Sequence, residues 1–246
     1  MDPRRINRFL SEAGLGSRRA VERLIRDGRV SLNGSIVRDL STRVDPVSDR
    51  VEVDGVEVRA RPGGRVFLLH KPRGVISSFR RQGDAPCLAD VLPPDLLRGR
   101  LFHVGRLDRD SSGLLLLSDD GDLANALLHP GRPVWKRYLV TVDRSLGPEE
   151  LESFAEGGIT LDGRPCAPAR IDPLEGPPAP RYRIELREGR KRQIRRMMEA
   201  LGVRVLELHR TAFGGIELGS LARGELRALS APEIARLRAA AGVDVD

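Results

Sequence analysis

The chain has 246 residues, 31% charged and 40% apolar, with 42 Lys and Arg against 35 Asp and Glu for a net charge of +7 and a pI near 10.3. Enough apolar residue is present to bury a sizeable core, which excludes a disordered chain, and Cys87 and Cys166 stand too far apart for a disulfide framework or a cysteine zinc site. The basic excess suits a polyanion, nucleic acid above all; because an arginine-rich composition also follows from codon usage, the placement of the charge matters more than its total.

The four histidines, His70, His103, His129 and His209, show no metal-ligand spacing. No N-terminal stretch has the apolar region of a signal peptide and no apolar run approaches a membrane span, so a cytoplasmic protein with no membrane partner is expected. The length allows one large domain with a small attachment.

The attachment comes first. Ile6, Phe9, Leu10 and Ala13 recur at helical spacing up to Gly14 and Gly16; Ser17 then caps a second helix with Ala20, Val21, Leu24 and Ile25 on its apolar face and Gly28 as its stop. Arg4, Arg5, Arg8, Arg18, Arg19, Arg23 and Arg26 occupy the opposite faces. Residues 1–38 hold nine arginines against four acids, whereas residues 39–59 hold three against six. Alternating apolar residues around Asn33-Gly34 and Asp54-Gly55 predict two hairpins, giving a compact αα-β unit. An Arg-lined helix pair is either a solvated face or a phosphate-binding surface, and the charge asymmetry favours the second. Ser17-Arg18-Arg19-Ala20 and Gly28-Arg29-Val30-x-Leu32-Asn33-Gly34 resemble the RNA-binding module of ribosomal protein S-four. The predicted boundaries are residues 1–60 for this domain and 65–246 for the next, with Arg59 to Gly64 as linker.

Val66 to Leu69 predicts a strand, and Lys71-Pro72-Arg73-Gly74 a turn at its end. Residues 80–100 mix Gly, Pro and Arg with short apolar pieces and give no element. Gly105-Arg106-Leu107-Asp108-Arg109-Asp110-Ser111-Ser112-Gly113 is a polar loop running into Leu114–Leu117, a strand buried on both faces that ends at Asp120-Gly121. Three readings of this loop compete: an Asx-type turn, a calcium loop and a catalytic loop. Arg109 among the ligands, the apolar run after it and Asp119 where a calcium loop has Glu count against calcium.

Leu123 to Leu128 predicts a helix stopped by Pro130-Gly131, and Lys136 to Val142 a strand with Tyr138, Val140 and Val142 on one face. Tyr138 is either half-buried packing or a platform for an unpaired base. Gly147-Pro148 opens a helix closed by Gly157-Gly158, and Asp162-Gly163 marks a third hairpin. After a Pro-rich loop at 173–180, Arg181 to Arg187 alternates as a strand with one basic face, and a helix is predicted from Gly189 to Gly202. Residues 181–196, including Arg192 and Arg195, hold eight basic groups against two acidic ones. An arginine there, held beside Asp108, would keep that carboxylate ionised. Ser230-x-x-Glu233 is a capping box.

Gly105-Arg106-Leu107-Asp108-x-x-Ser111-x-Gly113-Leu114-Leu115-Leu116-Leu117, with Lys71-Pro72-x-Gly74, Lys136-x-Tyr138-x-Val140 and Gly189-x-x-x-Gln193-Ile194-Arg195 in the same chain, is similar to the motif set of RsuA-type pseudouridine synthases, which isomerise uridine in ribosomal RNA. Phe213 and Leu226 depart from that pattern, in the wall of the pocket. The resemblance implies an α+β fold in which the αα-β RNA-binding domain precedes a synthase domain with a mixed, mainly antiparallel sheet and a central catalytic cleft. It makes Asp108 the essential carboxylate, nucleophile or base, with Tyr138 packed on the target base, Arg195 paired to Asp108 and Arg106 filling the vacated stack; Lys71 and Arg192 join the RNA-contacting set with Arg4, Arg5, Arg18, Arg19 and Arg23. No metal or organic cofactor is implied. The expected partner is ribosomal RNA, of the large subunit in preference to the small, or an assembling ribosomal particle, met by a monomer. The alternative from another class is a non-catalytic RNA-binding or ribosome-assembly protein, which has no use for Asp108.

Overall fold

A computed structural model describes residues 3–16, 18–59, 64–97, 101–176 and 178–243; Ser17, the predicted cap, residues 60–63 of the predicted linker and the side chain of Arg18 lie outside this description. The chain divides into two compact units, one of Met1–Arg65, Pro94–Phe102 and Asp119–Gly121, the other of Val66–Pro93, His103–Ser118 and Asp122–Asp246.

The first unit opens with β1 (Arg4–Arg5), α1 (Ile6–Glu12) and α2 (Arg18–Arg26), followed by β2 (Val30–Leu32), β3 (Ser35–Ile36), β4 (Arg43–Val44), β5 (Val51–Val53) and β6 (Val56–Val58). Ile6, Phe9 and Leu10 of α1 and Val21 and Ile25 of α2 form one core with Val30, Val44, Val51 and Val53, so the predicted apolar stripes are the buried ones. Gly28, in the left-handed region at φ +71, ends α2 as predicted, and the next amide, of Arg29, donates back to the Leu24 carbonyl. The strands pair antiparallel in the order β3-β2-β5-β6. Both hairpin turns have positive φ at their two central residues, 52 and 83 for Asn33-Gly34 and 51 and 78 for Asp54-Gly55, the geometry that matches the twist of the flanking strands.

In the second unit β7 (Val66–Lys71) comes first. A 3-10 turn at Leu88–Asp90 and a short helix α3 (Pro94–Leu97), which groups with the first unit, occupy the stretch where the sequence predicts no element. The order continues with β8 (Phe102–Val104), β9 (Ser112–Ser118), α4 (Gly121–Leu128), β10 (Lys136–Val142), α5 (Pro148–Glu156), β11 (Thr160–Leu161), β12 (Arg164–Pro165), β13 (Arg170–Leu174), β14 (Arg181–Leu186), α6 (Gln193–Ala200), β15 (Val205–Phe213), β16 (Ile216–Glu217), β17 (Leu226–Ala228) and α7 (Ala231–Ala240). One sheet runs β13-β14-β10-β15-β9-β7-β17, with β8 beside β9 and β16 on β15. Antiparallel pairings dominate and β15 runs parallel to β9, so the fold is α+β with a mixed, mainly antiparallel sheet. Leu114, Leu115, Leu116 and Leu117 are fully buried; Leu114 and Leu116 pack with α4, α7 and Phe213 in the main core.

Three expectations need correction. The Pro-rich loop predicted at 173–180 begins later than expected, because Pro173 lies in β13, paired with Tyr182; β13 is an edge strand, where a missing amide donor costs little. The helix predicted from Gly189 starts at Gln193, after a turn that puts Arg192 in the left-handed region. Finally, the sequence predicts no strand over β15, which is central to the sheet, because Leu206, Glu207, His209 and Arg210 blur its alternation.

Candidate active site

Asp108 sits on the loop between β8 and β9, and the loop is tied at several points. The buried Ser77 hydroxyl donates to the Leu107 carbonyl (2.7 Å) and accepts from the Leu107 amide (3.0 Å). The Gly74 amide donates to the Arg109 carbonyl (2.7 Å), and the Ser111 amide closes the turn onto the Asp108 carbonyl (3.1 Å). At the loop's exit Gly113 passes Arg210 so closely that a Cβ on Gly113 would lie 2.2 Å from the Arg210 carbonyl oxygen. That approach is the parallel pairing of Arg210 with Gly113, so glycine here lets β15 and β9 meet. With the backbone held, the freedom left to Asp108 is that of its side chain, 32% exposed.

Helix α6 brings the cations. Arg192 Nη1 lies 3.8 Å from Asp108 Oδ2 and 3.3 Å from Asp110 Oδ1. Arg192 holds φ +51 and ψ +34 at the helix N-cap, a conformation costing a non-glycine residue about 1–2 kcal/mol. Its place between two carboxylates fits strain stored at a functional site. Arg195, predicted to pair with Asp108, instead places Nη2 3.4 Å from Asp110 Oδ2 and donates to the Asp110 carbonyl (3.1 Å) and, through Nη1, to the Val205 carbonyl (3.2 Å). The reason is the later helix start, which turns Arg192 toward Asp108 and sets Arg195 deeper, 11% exposed. Burial pushes the Asp110 carboxyl up, but Arg195 and Arg192 outweigh it and hold the group below its usual range. Both loop carboxylates thus face guanidinium groups, and among the described residues no three His, Cys, Asp or Glu are placed to hold a metal ion.

Lys71 ends β7 fully buried, its ammonium donating to the carbonyls of Pro72 (2.9 Å) and Val75 (2.6 Å). Burial lowers its pKa to about 8, with Asp108 and Asp110 opposing the shift. The lysine therefore holds the 72–75 turn that in turn holds the Asp108 loop. Tyr138, on β10, is 8% exposed and pairs with Arg210 on one side and Ile184 on the other. Arg106 is exposed at the loop's start, where the His103 ring braces the Gly105 carbonyl (2.9 Å).

Three supports of this site are not among the predicted site residues. Ser77 carries no motif signal of its own. Arg210, 2% exposed, donates from Nε to the Leu114 carbonyl (2.7 Å) and lies 5.3 Å from the Phe213 ring centroid; the departure at Phe213 is thus a fully buried contact of a buried arginine. His209 bonds the Ser112 hydroxyl (2.9 Å) at the strand that follows the loop, and burial and His70 lower its pKa.

In the first unit Arg5, Arg19 and Arg23 are exposed, while Arg4 and Arg8 both reach Glu12. Arg18 starts α2.

The profile of the RNA pseudouridylate synthase family matches residues 65–200, and that of the S4 domain residues 4–51. An uncharacterized RNA pseudouridine synthase of Mycobacterium tuberculosis strain H37Rv is 42% identical over 97% of this chain and 94% of its own length. The ribosomal large subunit pseudouridine synthase B of Bacillus subtilis is 38% identical over 96% of each. A crystal structure of a pseudouridylate synthase superposes with a TM-score of 0.67 at 33% identity, over 95% of this chain and 99% of the other. A tied Asp loop on a mixed sheet, an arginine-bearing helix facing it and matches along nearly the whole chain lead to one assignment: the protein belongs to the RNA pseudouridylate synthase family, with an S4 domain ahead of its catalytic domain.

Proposed function

We propose that this chain isomerises a uridine of ribosomal RNA to pseudouridine, with a large-subunit site as the preferred target. The B. subtilis relative bears the name of a large-subunit enzyme, which supports that preference. In the reaction the N1–C1′ glycosidic bond breaks, the base turns, a C5–C1′ bond forms, the C5 proton leaves and N1 takes up a proton; nothing is oxidised or hydrolysed overall. The uridine must first leave its stack, at a cost of about a few kcal/mol that is least in loops.

The observation that carries the reading is a partly exposed carboxylate on an immobilised loop with a guanidinium at 3.8 Å. A group held in this way is pre-organised for attack or for proton abstraction at the ribose, and Asp108 takes that role. Arg192 offsets its charge. Arg195 acts one step removed, by fixing Asp110 and the loop backbone. Tyr138 packs on the flipped base, Arg106 fills the space it leaves, and buried Lys71 holds the turn behind the loop. Arg4, Arg5, Arg18, Arg19 and Arg23 contact RNA phosphates from an S4-like domain spanning residues 1–60, with the synthase domain at 65–246. The chain works as a cytoplasmic monomer on ribosomal RNA or an assembling particle. Among the described residues no helix is long and apolar enough to cross a membrane.

Pseudouridine mapping of ribosomal RNA tests the reading, in cells lacking the protein and complemented with wild type or Asp108→Asn. One site should lose its modification and only the wild type should restore it. An unchanged map would remove ribosomal RNA as the substrate, and restoration by Asp108→Asn would leave a binding role alone.

A further inference from the structure

The outer face of β13, β14 and β10 takes no part in the arrangement around Asp108. The registers Arg170↔Glu185↔Arg137 and Asp172↔Arg183↔Leu139 set these residues on one face, while Tyr138, Val140, Tyr182 and Ile184 are buried on the other. Just before β10 stands Trp135, the single tryptophan of the chain and partly exposed. Two guanidinium groups lie over its ring, that of Arg170 at 4.8 Å and that of Arg187 at 4.3 Å from the centroid. Glu185 reaches Arg170 only at 3.4 Å and makes its short contact, 2.5 Å, with Arg137. Among the described residues no carboxylate pairs with Arg187.

Two like charges gathered over one ring repel, and the acidic groups nearby do not neutralise both. The complement of such a pair is a polyanion. Stacking on the indole holds the guanidinium planes in place beforehand, so less conformational freedom is lost when their N–H edges meet phosphate oxygens. The exposed Arg181 and Arg183 extend the basic face along β14, although Arg183 is partly answered by Asp172 at 3.1 Å.

We infer that Trp135, Arg170 and Arg187 form a clamp for the phosphate backbone of the RNA substrate, distinct from the uridine site and from the arginines of the S4 domain. The inference rests on the reading of the chain as an RNA-modifying enzyme. The clamp recognises charge and spacing rather than sequence.

Two measurements test it on the full-length protein. In a filter-binding salt series with in vitro transcribed large-subunit ribosomal RNA, the double variant Arg170→Gln/Arg187→Gln should bind about ten-fold more weakly than wild type. Its slope of log K against log salt should fall by about 1.4 to 1.8, as expected for two lost phosphate contacts. Independently, the fluorescence of Trp135 in the wild type should change on titration with poly(U). Wild-type affinity and slope in a double variant that unfolds at the wild-type temperature would overturn the clamp, and so would a Trp135 signal indifferent to saturating poly(U). If the wild type itself neither binds nor isomerises ribosomal RNA, the functional reading fails and the clamp with it; if it does both and either test fails, the clamp alone is wrong.

Discussion

Arginine does two different jobs in the two halves of this chain. On β1 and α2 of the first unit, Arg5, Arg19 and Arg23 are exposed. In the second unit Arg195 is 11% exposed beside Asp110 and Arg210 is almost fully buried on a backbone carbonyl. An exposed guanidinium is free to follow a phosphate backbone, and each is worth little by itself. A buried one costs desolvation and is retained only where carboxylates and carbonyls offset that cost. Under the proposed function, the first kind sets how tightly RNA is held, and the second sets where the reacting carboxylate stands.

This contrast breaks if substitutions in the two regions behave alike. The largest effect is expected for Asp108→Asn, which keeps the size of the side chain and its loop: turnover of ribosomal RNA should fall by at least about 10²–10⁴-fold, with RNA binding by filter assay unchanged. Next comes Gly113→Ala, whose methyl would meet the Arg210 carbonyl at 2.2 Å on a backbone at φ +107. It should cost about 3 kcal/mol or more in urea unfolding, as a forced backbone shift in the core does. Gly34→Ala in the first unit meets nothing within 4 Å and suffers only from its φ of +83, so about 1 kcal/mol is expected. Equal losses for the two glycines would mean that the β9–β15 approach is not tight.

A smaller and pH-dependent effect belongs to Lys71. Its folded pKa, about 8, lies below the ordinary lysine value of 10.5, so between those pH values the unfolded chain binds more protons than the folded one. The lysine's contribution to stability therefore rises with pH through that window and is flat below it. In urea titrations at pH 7.5 and 10, Lys71→Met should show a smaller gain with pH than wild type; an equal gain would show that the ammonium is not desolvated. Smallest is the effect of Arg19→Ala or Arg23→Ala, each lowering the salt slope of RNA binding by about 0.7–0.9 while kcat at saturating RNA holds. A fall in kcat would place these arginines at the chemistry and undo the distinction.

Much of the first unit was legible in advance because its signals are local. Asn33-Gly34, Asp54-Gly55 and, in the second unit, Asp162-Gly163 each form a two-residue turn with positive φ at both positions, a requirement that two adjacent residues state by themselves. Ile6, Phe9 and Leu10 show the buried face of α1 in the same way. The Asp108 loop was also legible, through its motif and through the four leucines that follow. The partner of Asp108 was not. Which arginine faces it depends on where α6 begins, and a turn at Lys191-Arg192 moves that start past Gly189.

The sequence by itself determined the order of the two units, their hairpins, the basic charge on the first helices, and Asp108 on a loop feeding a buried strand. Composition, period and turn chemistry act over a few residues, and all of these features are written at that range. Only the tertiary structure decided that Lys71 is buried, that Arg192 rather than Arg195 meets Asp108, that Gly113 lets β9 and β15 touch, and that Trp135 gathers Arg170 and Arg187. Each of these is a contact between residues distant in the chain, or follows from how the sheet and α6 come together, and no local pattern specifies which distant groups a packed sheet will bring face to face.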